Sequence, residues 1–322
     1  MFEYLLKKID RSKFKTYPFK HIYIENFFNN DDFKKLISSK EICLKNFKDD
    51  KDLFETLFDN NYTIINFPGC ITNKTKYIKW HKNKKKFNLE NNSACESAGM
   101  ALRLKPQNSY LKSVSTFFNG KIFNKTIANK FNIKFSDVYI DGGIQKYLDG
   151  YEISPHPDIR KKALTFMINI NPNKNSENLK YHTRYLKLKK DKEYIKYFWE
   201  SNTKAERPWL PWTYCESIFT QNKNNSIVIF APSNDTIHAI KANYNHLKGQ
   251  RTQLYGNLWF KNYEKKIQYS WEDFEMLHNK NKFNYKPKKN IKLVIKNFIP
   301  TNLYHFYKKI IHRNNYHFRD ND

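Results

Sequence analysis

The sequence predicts a mainly β domain, a sandwich or a barrel, with helices flanking it. From about residue 132 onward, short β-rich runs follow one another with turn residues between them and no long helix intervening. Hydrophobic residues make up 39% of the 322 residues, which is ample for a core and excludes a chain that is disordered throughout. The β-rich runs are 138–140, 144–148, 163–170, 179–188, 227–230 and 252–260.

The residues before this β-rich region are predicted to form supporting helices. A strand at 21–24 is followed by residues 29–32, whose asparagine and aspartate side chains are suited to cap the helix that follows. Residues 40–60 are predicted to be helical, and apolar residues at helical spacing indicate one or two helices over 109–131. The lysine-dense stretch 72–90 is predicted to be a solvated loop.

The chain is predicted to have three parts. They are an N-terminal extension at 1–16, the main domain at 17–262 and a basic helical tail at 263–322. Within the main domain, helical support is expected at 30–131 and the barrel at 132–262, interrupted by a tryptophan-bearing insertion at 189–222. The amphipathic end of the tail either docks on the domain or makes weak contact with a membrane surface.

The net charge of +27 does not by itself indicate a nucleic-acid partner. Of the 58 basic residues only 8 are arginine, and the chain has 40 asparagines, a bias that an AT-rich genome produces without selection for binding. Readers of bases and phosphates favour arginine for its planar fork. A nucleic-acid role is therefore disfavoured, although weak attraction to anionic surfaces at low salt remains an alternative.

Cysteine spacing and hydropathy favour a soluble protein of a reducing compartment. The four cysteines lie far apart without C-x-x-C spacing, which argues against a disulfide framework or a zinc knot. No apolar run approaches the roughly 20 residues needed to span a bilayer, and the first residues lack a signal-peptide pattern. We expect a cytoplasmic location, in the host cytoplasm if the source is a virus.

One histidine pattern carries chemistry. Of the ten histidines only His156 is followed two residues later by a carboxylate, Asp158, and the pair lies in a predicted turn between the β-rich runs 144–148 and 163–170. His238 lies in a short predicted strand further on, and Arg251 begins the next one. Two imidazoles and one carboxylate on one face of an iron suit Fe(II) oxygen chemistry, and an arginine nearby can hold a dicarboxylic cosubstrate through a bidentate pair.

With these residues the sequence resembles the Fe(II)- and 2-oxoglutarate-dependent dioxygenases, especially the prolyl 4-hydroxylase-like branch. Upstream residues agree, because Tyr147, Gly150 and Pro155 stand nine, six and one positions before His156, and the run TFMIN at 165–169 fits the following strand. The resemblance covers roughly 17–262. It implies a double-stranded β-helix core of the jelly-roll or cupin-like kind.

The resemblance also implies roles for individual residues. His156, Asp158 and His238 would be catalytic residues that bind Fe(II), Arg251 would bind the C5 carboxylate of 2-oxoglutarate, and Tyr147 could add a hydroxyl contact to it. The implied activity is hydroxylation of an unidentified substrate, a protein side chain or a small metabolite, with release of succinate and CO2. The resemblance also implies that ascorbate could serve as an auxiliary reductant.

The sequence departs from the family pattern at 178–188, where NLKYHTRYLKL replaces a Gly-Gly-Glu-like stretch, and this leaves the substrate open. Plain core packing is an alternative role for Tyr147, and His246 is expected to face solvent. Trp209 and Trp212 form either a wall of the site or filler of the insertion. Two other classes of protein remain as alternatives: a non-catalytic binding module with the same barrel, and a basic membrane or nucleic-acid adaptor.

Overall fold

Two antiparallel β-sheets face each other in the structure, a computed structural model that describes residues 2–83, 94–202 and 205–262. The strands are β1 Ile22–Ile24, β2 Tyr62–Ile64, β3 Ala101–Leu104, β4 Val138–Tyr147, β5 Glu152–His156, β6 Lys162–Asn169, β7 Arg184–Leu188, β8 Cys215–Thr220, β9 Ile227–Phe230, β10 His238–Lys241 and β11 Arg251–Phe260. A seven-stranded sheet has the order β1-β9-β6-β11-β4-β3-β2, and a four-stranded sheet has the order β5-β10-β7-β8. The predicted fold class, mainly β with flanking helices around a double-stranded β-helix, is confirmed.

Helices cover the outer face of the seven-stranded sheet. They are α1 Glu3–Arg11, α2 Asn30–Ser38, α3 Asp50–Asp59, α4 Lys74–Asn83, α5 Ser109–Phe118 and α6 Lys121–Lys130. A further helix, α7 Tyr194–Ser201, lies apart from this layer. A cap was predicted within 29–32, and Asn29 provides it, since its side chain accepts a hydrogen bond from the backbone N–H of Asp32. Leu111 of α5 and Ile127 of α6 are fully buried in the same core as Leu164 of β6. This apolar layer anchors the sheet that carries one half of the site.

Alternation along β11 divides the core from the cavity between the sheets. Leu254 and Leu258 are buried in the core beneath the helices. The residues at the alternate positions line the cavity: Arg251, Gln253, Tyr255, Asn257 and Trp259. Because successive side chains of a strand point to opposite faces, a shift of one residue in pairing would exchange these two sets. The pairing of β11 with β4, continuous from Arg251↔Tyr147 to Phe260↔Val138, therefore decides which polar groups face the cavity.

The lysine-rich stretch 72–90 was predicted to be a loop, and this is wrong for its first half. Residues 74–83 form α4, in which Tyr77 is fully buried and packs edge-on against Phe54 of α3. Lysine is a good helix former, and its flexible stem allows the charge to remain in water while neighbouring aromatic residues pack inward. The charge run obscured the buried positions that lie between the lysines. Residues 84–93 lie outside the described part.

Two other predicted segments differ from expectation, one by having more regular structure and one by having less. β8 lies inside the stretch 189–222 and pairs with β7, so it belongs to the four-stranded sheet. Helical structure in 40–60 is confined to α3. Within 2–83, 94–202 and 205–262, no helix combines the length and apolarity that crossing a bilayer requires. The predicted tail 263–322 falls outside the described residues.

Candidate functional site

His156 and His238 lie directly opposite each other on neighbouring strands. They are Cα partners in the pairing of β5 with β10, and their ring centroids are 4.6 Å apart. Nδ1 of His156 is 2.8 Å from the carbonyl oxygen of Ser154, and Nδ1 of His238 is 3.0 Å from that of Thr236. A carbonyl oxygen can only accept, so Nδ1 carries the proton in both rings and both Nε2 atoms are left with free lone pairs.

Asp158 completes this group from the loop between β5 and β6. It is 1% exposed, and its Oδ2 is 4.0 Å from Nε2 of His238. Lys162 donates to Oδ1 at 2.6 Å and Thr165 donates to Oδ2 at 2.7 Å, so the carboxylate is held in place from the side of β6. One ligand atom from each of His156, Asp158 and His238 lies within 4.8 Å of the others. The structure thus brings together the three predicted metal ligands.

Electrostatics prepare these three groups to bind a cation at neutral pH. Burial lowers the pKa of His156 well below its ordinary value, and burial likewise lowers the pKa of His238. Burial alone would raise the pKa of Asp158, but the ammonium of Lys162 holds it below its usual range. At neutral pH the two imidazoles are therefore neutral and the carboxylate is ionised. A cation can bind all three groups without displacing a proton. This is the donor set that suits non-haem Fe(II) with open coordination positions.

Arg251 lies in the same cavity and is 2% exposed. Its Nη2 donates to Oγ1 of Thr183 at 3.0 Å, and its guanidinium carbon is 4.5 Å from the ring centroid of Tyr147. Its buried Nε has no hydrogen-bond partner, and no carboxylate among the described residues forms an ion pair with it. Burial lowers its pKa, but a guanidinium that starts above about 12 stays charged. A buried cation without a counter-charge is costly unless a ligand supplies one.

Tyr147 contacts Arg251 through its ring, and its hydroxyl is directed elsewhere. The hydroxyl donates to Oε1 of Gln145 at 2.6 Å, and both residues line the cavity. The family resemblance implies that this hydroxyl contacts a cosubstrate. In this structure the hydroxyl donates its hydrogen bond to Gln145 instead. Across the strands Tyr147 is the register partner of Arg251, which explains why the ring lies beneath the guanidinium.

The cavity between the sheets has a volume of about 650 Å³ and contains both the histidine pair and Arg251. Sequence reasoning did not assign Lys162, Thr183 or Arg207 to it. Lys162 could have been predicted as a neighbour of Asp158, because it follows that residue by four positions. The position of Thr183 in the cavity could not, because it depends on how β7 faces β11. Of the two tryptophans left open, Trp209 lies with its ring 4.8 Å from that of His156, whereas Trp212 donates to Oε1 of Glu152 at 2.7 Å.

A second histidine and aspartate cluster lies in the described part of the chain, and it corrects one prediction. His246 was expected to face solvent but is 1% exposed. Its Nε2 is 2.7 Å from Oδ1 of Asp50, and His81 bridges Oδ2 of Asp50 and Oδ2 of Asp149 at 2.9 Å each. The cluster ties α3 and α4 to the β4–β5 turn and to the loop before β11. Its partners are 196 and 68 residues apart in sequence, which is why the pattern could not be recognised there.

Proton positions distinguish this second cluster from a metal site. Nδ1 of His246 accepts a hydrogen bond from the backbone N–H of Asp149 at 3.1 Å, so the proton of the neutral ring is on Nε2, which donates to Asp50. Both ring nitrogens of His81 are taken up by carboxylates. No imidazole lone pair is left for a cation. The cluster is therefore a structural hydrogen-bond network.

The charge on His81 should make this network sensitive to alkaline pH. The two carboxylates, opposing the effect of burial, raise the pKa of His81 from 6.5 to about 9. A raised pKa means that the stabilisation is fully present below pH 6.5 and is lost as the pH rises through about 9. We expect His81→Gln to lower the free energy of unfolding by roughly 2–3 kcal/mol at the acidic end of this range and by much less above it. Urea denaturation of both proteins across this range measures the difference.

Comparing the two proteins at each pH removes the contributions of other groups, such as Lys146, whose pKa burial lowers to about 7. Lys82→Gln, a change at an exposed neighbour, is the control and should shift stability by a similar small amount at every pH. If the difference in the free energy of unfolding between wild type and His81→Gln does not change with pH, then His81 does not act as a charged bridge between the two carboxylates.

No protein-family model and no curated protein matches the chain in sequence. Similar solved structures include a prolyl hydroxylase from Trichoplax adhaerens in complex with a hypoxia inducible factor peptide fragment (10% identity, TM-score 0.39, covering 82% of this chain and 91% of that one). A prolyl-4-hydroxylase from Pseudomonas putida has 9% identity and a TM-score of 0.35, covering 81% and 100%. A 2OG-Fe(II) oxygenase family oxidoreductase from Burkholderia pseudomallei has 8% identity and a TM-score of 0.27, covering 49% and 59%.

Proposed function

We propose that the chain is an Fe(II)- and 2-oxoglutarate-dependent oxygenase that hydroxylates a protein side chain or a small metabolite and releases succinate and CO2. One observation carries the proposal. A buried pair of imidazole lone pairs and a carboxylate share a cavity with a buried guanidinium that has no carboxylate partner among the described residues. The first group calls for a divalent cation, and the second calls for an anionic cosubstrate.

The metal ligands in this proposal are His156, Asp158 and His238. Backbone carbonyls of Ser154 and Thr236 hold the Nδ1 atoms of the two imidazoles, and Lys162 and Thr165 each hold one oxygen of the carboxylate, so the three groups are oriented before a metal arrives. Fe(II) bound to such a donor set supplies the activation of O2, with electrons drawn from the 2-oxo acid. Ascorbate would serve only to keep the metal in the ferrous state.

Arg251 is the proposed partner of the C5 carboxylate of 2-oxoglutarate. Its unsatisfied Nε and its charge would be matched by one carboxylate, and Thr183 and the ring of Tyr147 hold the guanidinium in position. The cavity has room for this five-carbon acid and for part of a second molecule. The residues of the chain thus bind the acid, orient it and keep it in a partly dehydrated site.

Release of succinate from 2-oxoglutarate tests the proposal without knowledge of the substrate. We expect the purified protein with Fe(II), ascorbate and O2 to release succinate slowly, because oxidative decarboxylation of the 2-oxo acid needs only the metal, the acid and O2. Adding a metal chelator should abolish the release. Isotopically labelled 2-oxoglutarate with detection of succinate by mass spectrometry gives the rate.

Asp158→Asn is the negative control, and Asp191→Asn is the matched control, because Asp191 has the same chemistry but a side chain that is 66% exposed. The Asp191→Asn protein should release succinate at the wild-type rate. Metal-dependent release that persists in Asp158→Asn would contradict the proposed site. Failure of the wild-type protein to bind 2-oxoglutarate would favour the non-catalytic binding module.

A further inference from the structure

A second arginine, Arg207, lies beside the histidine pair. The segment that carries it is tied to the end of β5, because the backbone N–H of Leu210 donates to the carbonyl oxygen of Pro155 at 2.9 Å. The guanidinium carbon of Arg207 is 4.5 Å from the ring centroid of Trp209, and that indole is 4.8 Å from the imidazole of His156. Arg207 and His156 both line the cavity, and the indole of Trp209 contacts both of them.

Arg207 is poorly neutralised by the described part of the chain. Its side chain is only 11% exposed, and the carboxylate that approaches it, that of Glu96, is 3.7 Å away, beyond hydrogen-bond distance. The third arginine of the cavity, Arg103, is different, since it donates to Oδ1 of Asp141 at 2.8 Å. Arg207 thus retains a fork of donors at the cavity, and no described residue offers it an acceptor within hydrogen-bond distance.

The kind of basic residue in the cavity supports a role in anion binding. Among the described residues the cavity is lined by three arginines, one lysine and as many carboxylates as basic residues, but Lys162 is paired with Asp158 and Arg103 with Asp141. In a chain in which lysine is the default basic residue, arginine is retained where its planar fork matters. The net charge of +27 also favours the approach of anionic molecules.

We propose, resting on the proposed function, that Arg207 binds an oxoanion of the primary substrate, a carboxylate or a phosphate. Arg251 contacts Tyr147 and Thr183, whereas Arg207 contacts Trp209 and Glu96, so the two guanidiniums have separate surroundings. With 2-oxoglutarate on Arg251, what remains of 650 Å³ admits a small molecule or a single side chain. The substrate class is therefore anionic, with its charged group at Arg207.

Glu96 modulates this binding. At 3.7 Å it partly offsets the charge of Arg207 and competes with an incoming anion. Its removal should therefore strengthen the binding of an anion. A ligand group that carries a positive and a negative charge would not follow this expectation, because its positive part could pair with Glu96.

Calorimetric titration of probe anions tests the proposal. The protein is loaded under argon with Mn(II) and 2-oxoglutarate, and benzoate, phenyl phosphate and the neutral benzamide are titrated separately. We expect at least one of the two anions to bind the wild type, with affinity lowered roughly tenfold or more in Arg207→Gln and partly restored in Arg207→Lys. The two anion arms distinguish a carboxylate site from a phosphate site, and Glu96→Gln should bind the preferred anion more tightly.

Arg184→Gln is the matched control, because Arg184 is an exposed arginine that lies 5.5 Å over Trp212, and this variant should bind the anions as the wild type does. Equal affinity of wild type and Arg207→Gln, binding of benzamide as tight as that of benzoate, or no binding of either anion would overturn the proposal. The 2-oxoglutarate titration comes first and does not depend on Arg207. If it fails, the proposed function is wrong, and the anion titrations on the unloaded protein still decide the role of Arg207.

Discussion

Replacement of His156 or His238 by alanine is expected to lower the affinity for Fe(II) or Mn(II) by at least about 100-fold and to abolish succinate release. Each substitution removes one of two buried nitrogen lone pairs that face the same point. The rings lie between paired strands and donate only to backbone carbonyls, so their loss should leave the fold intact. Equilibrium dialysis with Mn(II), together with the succinate assay, measures both effects.

Asp158 needs a different design because it also neutralises a buried lysine. Removal of its charge leaves Lys162, 9% exposed, without its partner at 2.6 Å, which should destabilise the protein by roughly 3–5 kcal/mol. The double variant Asp158→Asn/Lys162→Met removes both charges and should recover stability, but it should not recover metal binding. A double variant that binds Mn(II) as tightly as the wild type would show that this carboxylate is not a ligand.

Arg251→Met is expected to separate stability from cosubstrate binding. The wild-type guanidinium is buried without a carboxylate partner, so an apolar side chain of similar length should leave the free protein equally or more stable. Loss of two charge-assisted hydrogen bonds should weaken the binding of 2-oxoglutarate roughly 100-fold or more. The increase in melting temperature on addition of 2-oxoglutarate to the Mn(II)-loaded protein is the measurement.

Arg11→Met, at an exposed arginine of α1, is the control for that measurement and should show the full wild-type shift. If Arg251→Met lowers the stability of the free protein by several kcal/mol, the arginine is a structural ion-pair residue and its counter-charge lies outside the described residues. If the variant binds 2-oxoglutarate as the wild type does, the assignment of the cosubstrate carboxylate to Arg251 is wrong.

β6, β9 and β11 could be predicted because they are runs of β-branched and aromatic residues bounded by turn residues. Two predictions nearby are wrong: β4 is continuous where the runs 138–140 and 144–148 were expected to be separated by a turn, and His156 ends β5 where only a turn was expected. The placing of His156 next to His238 depends on the register of β5 with β10, which includes a shift between His238 and Ile240. Such a register is determined by tertiary packing, and only the similarity to a known arrangement could anticipate it.

The remaining features depend on contacts between residues that are distant in sequence. His246 is buried because Asp50, 196 residues earlier, meets it, and neither flanking sequence signals this. Arg207 reaches the cavity from an irregular segment that a backbone hydrogen bond from Leu210 to Pro155 ties to the end of β5. Periodicity cannot report on such segments, since they have no repeating pattern of burial.

Titration of the anaerobic Fe(II)-loaded protein with 2-oxoglutarate is the most direct test of the central claim that the imidazole pair, Asp158 and Arg251 hold one metal and one cosubstrate. Chelation of Fe(II) by a 2-oxo acid produces a visible charge-transfer absorption. We predict that this band saturates at one equivalent of each component in the wild type, is absent in His156→Ala, and requires much higher 2-oxoglutarate in Arg251→Met. Absence of the band in folded wild-type protein at saturating Fe(II) and 2-oxoglutarate would contradict the account.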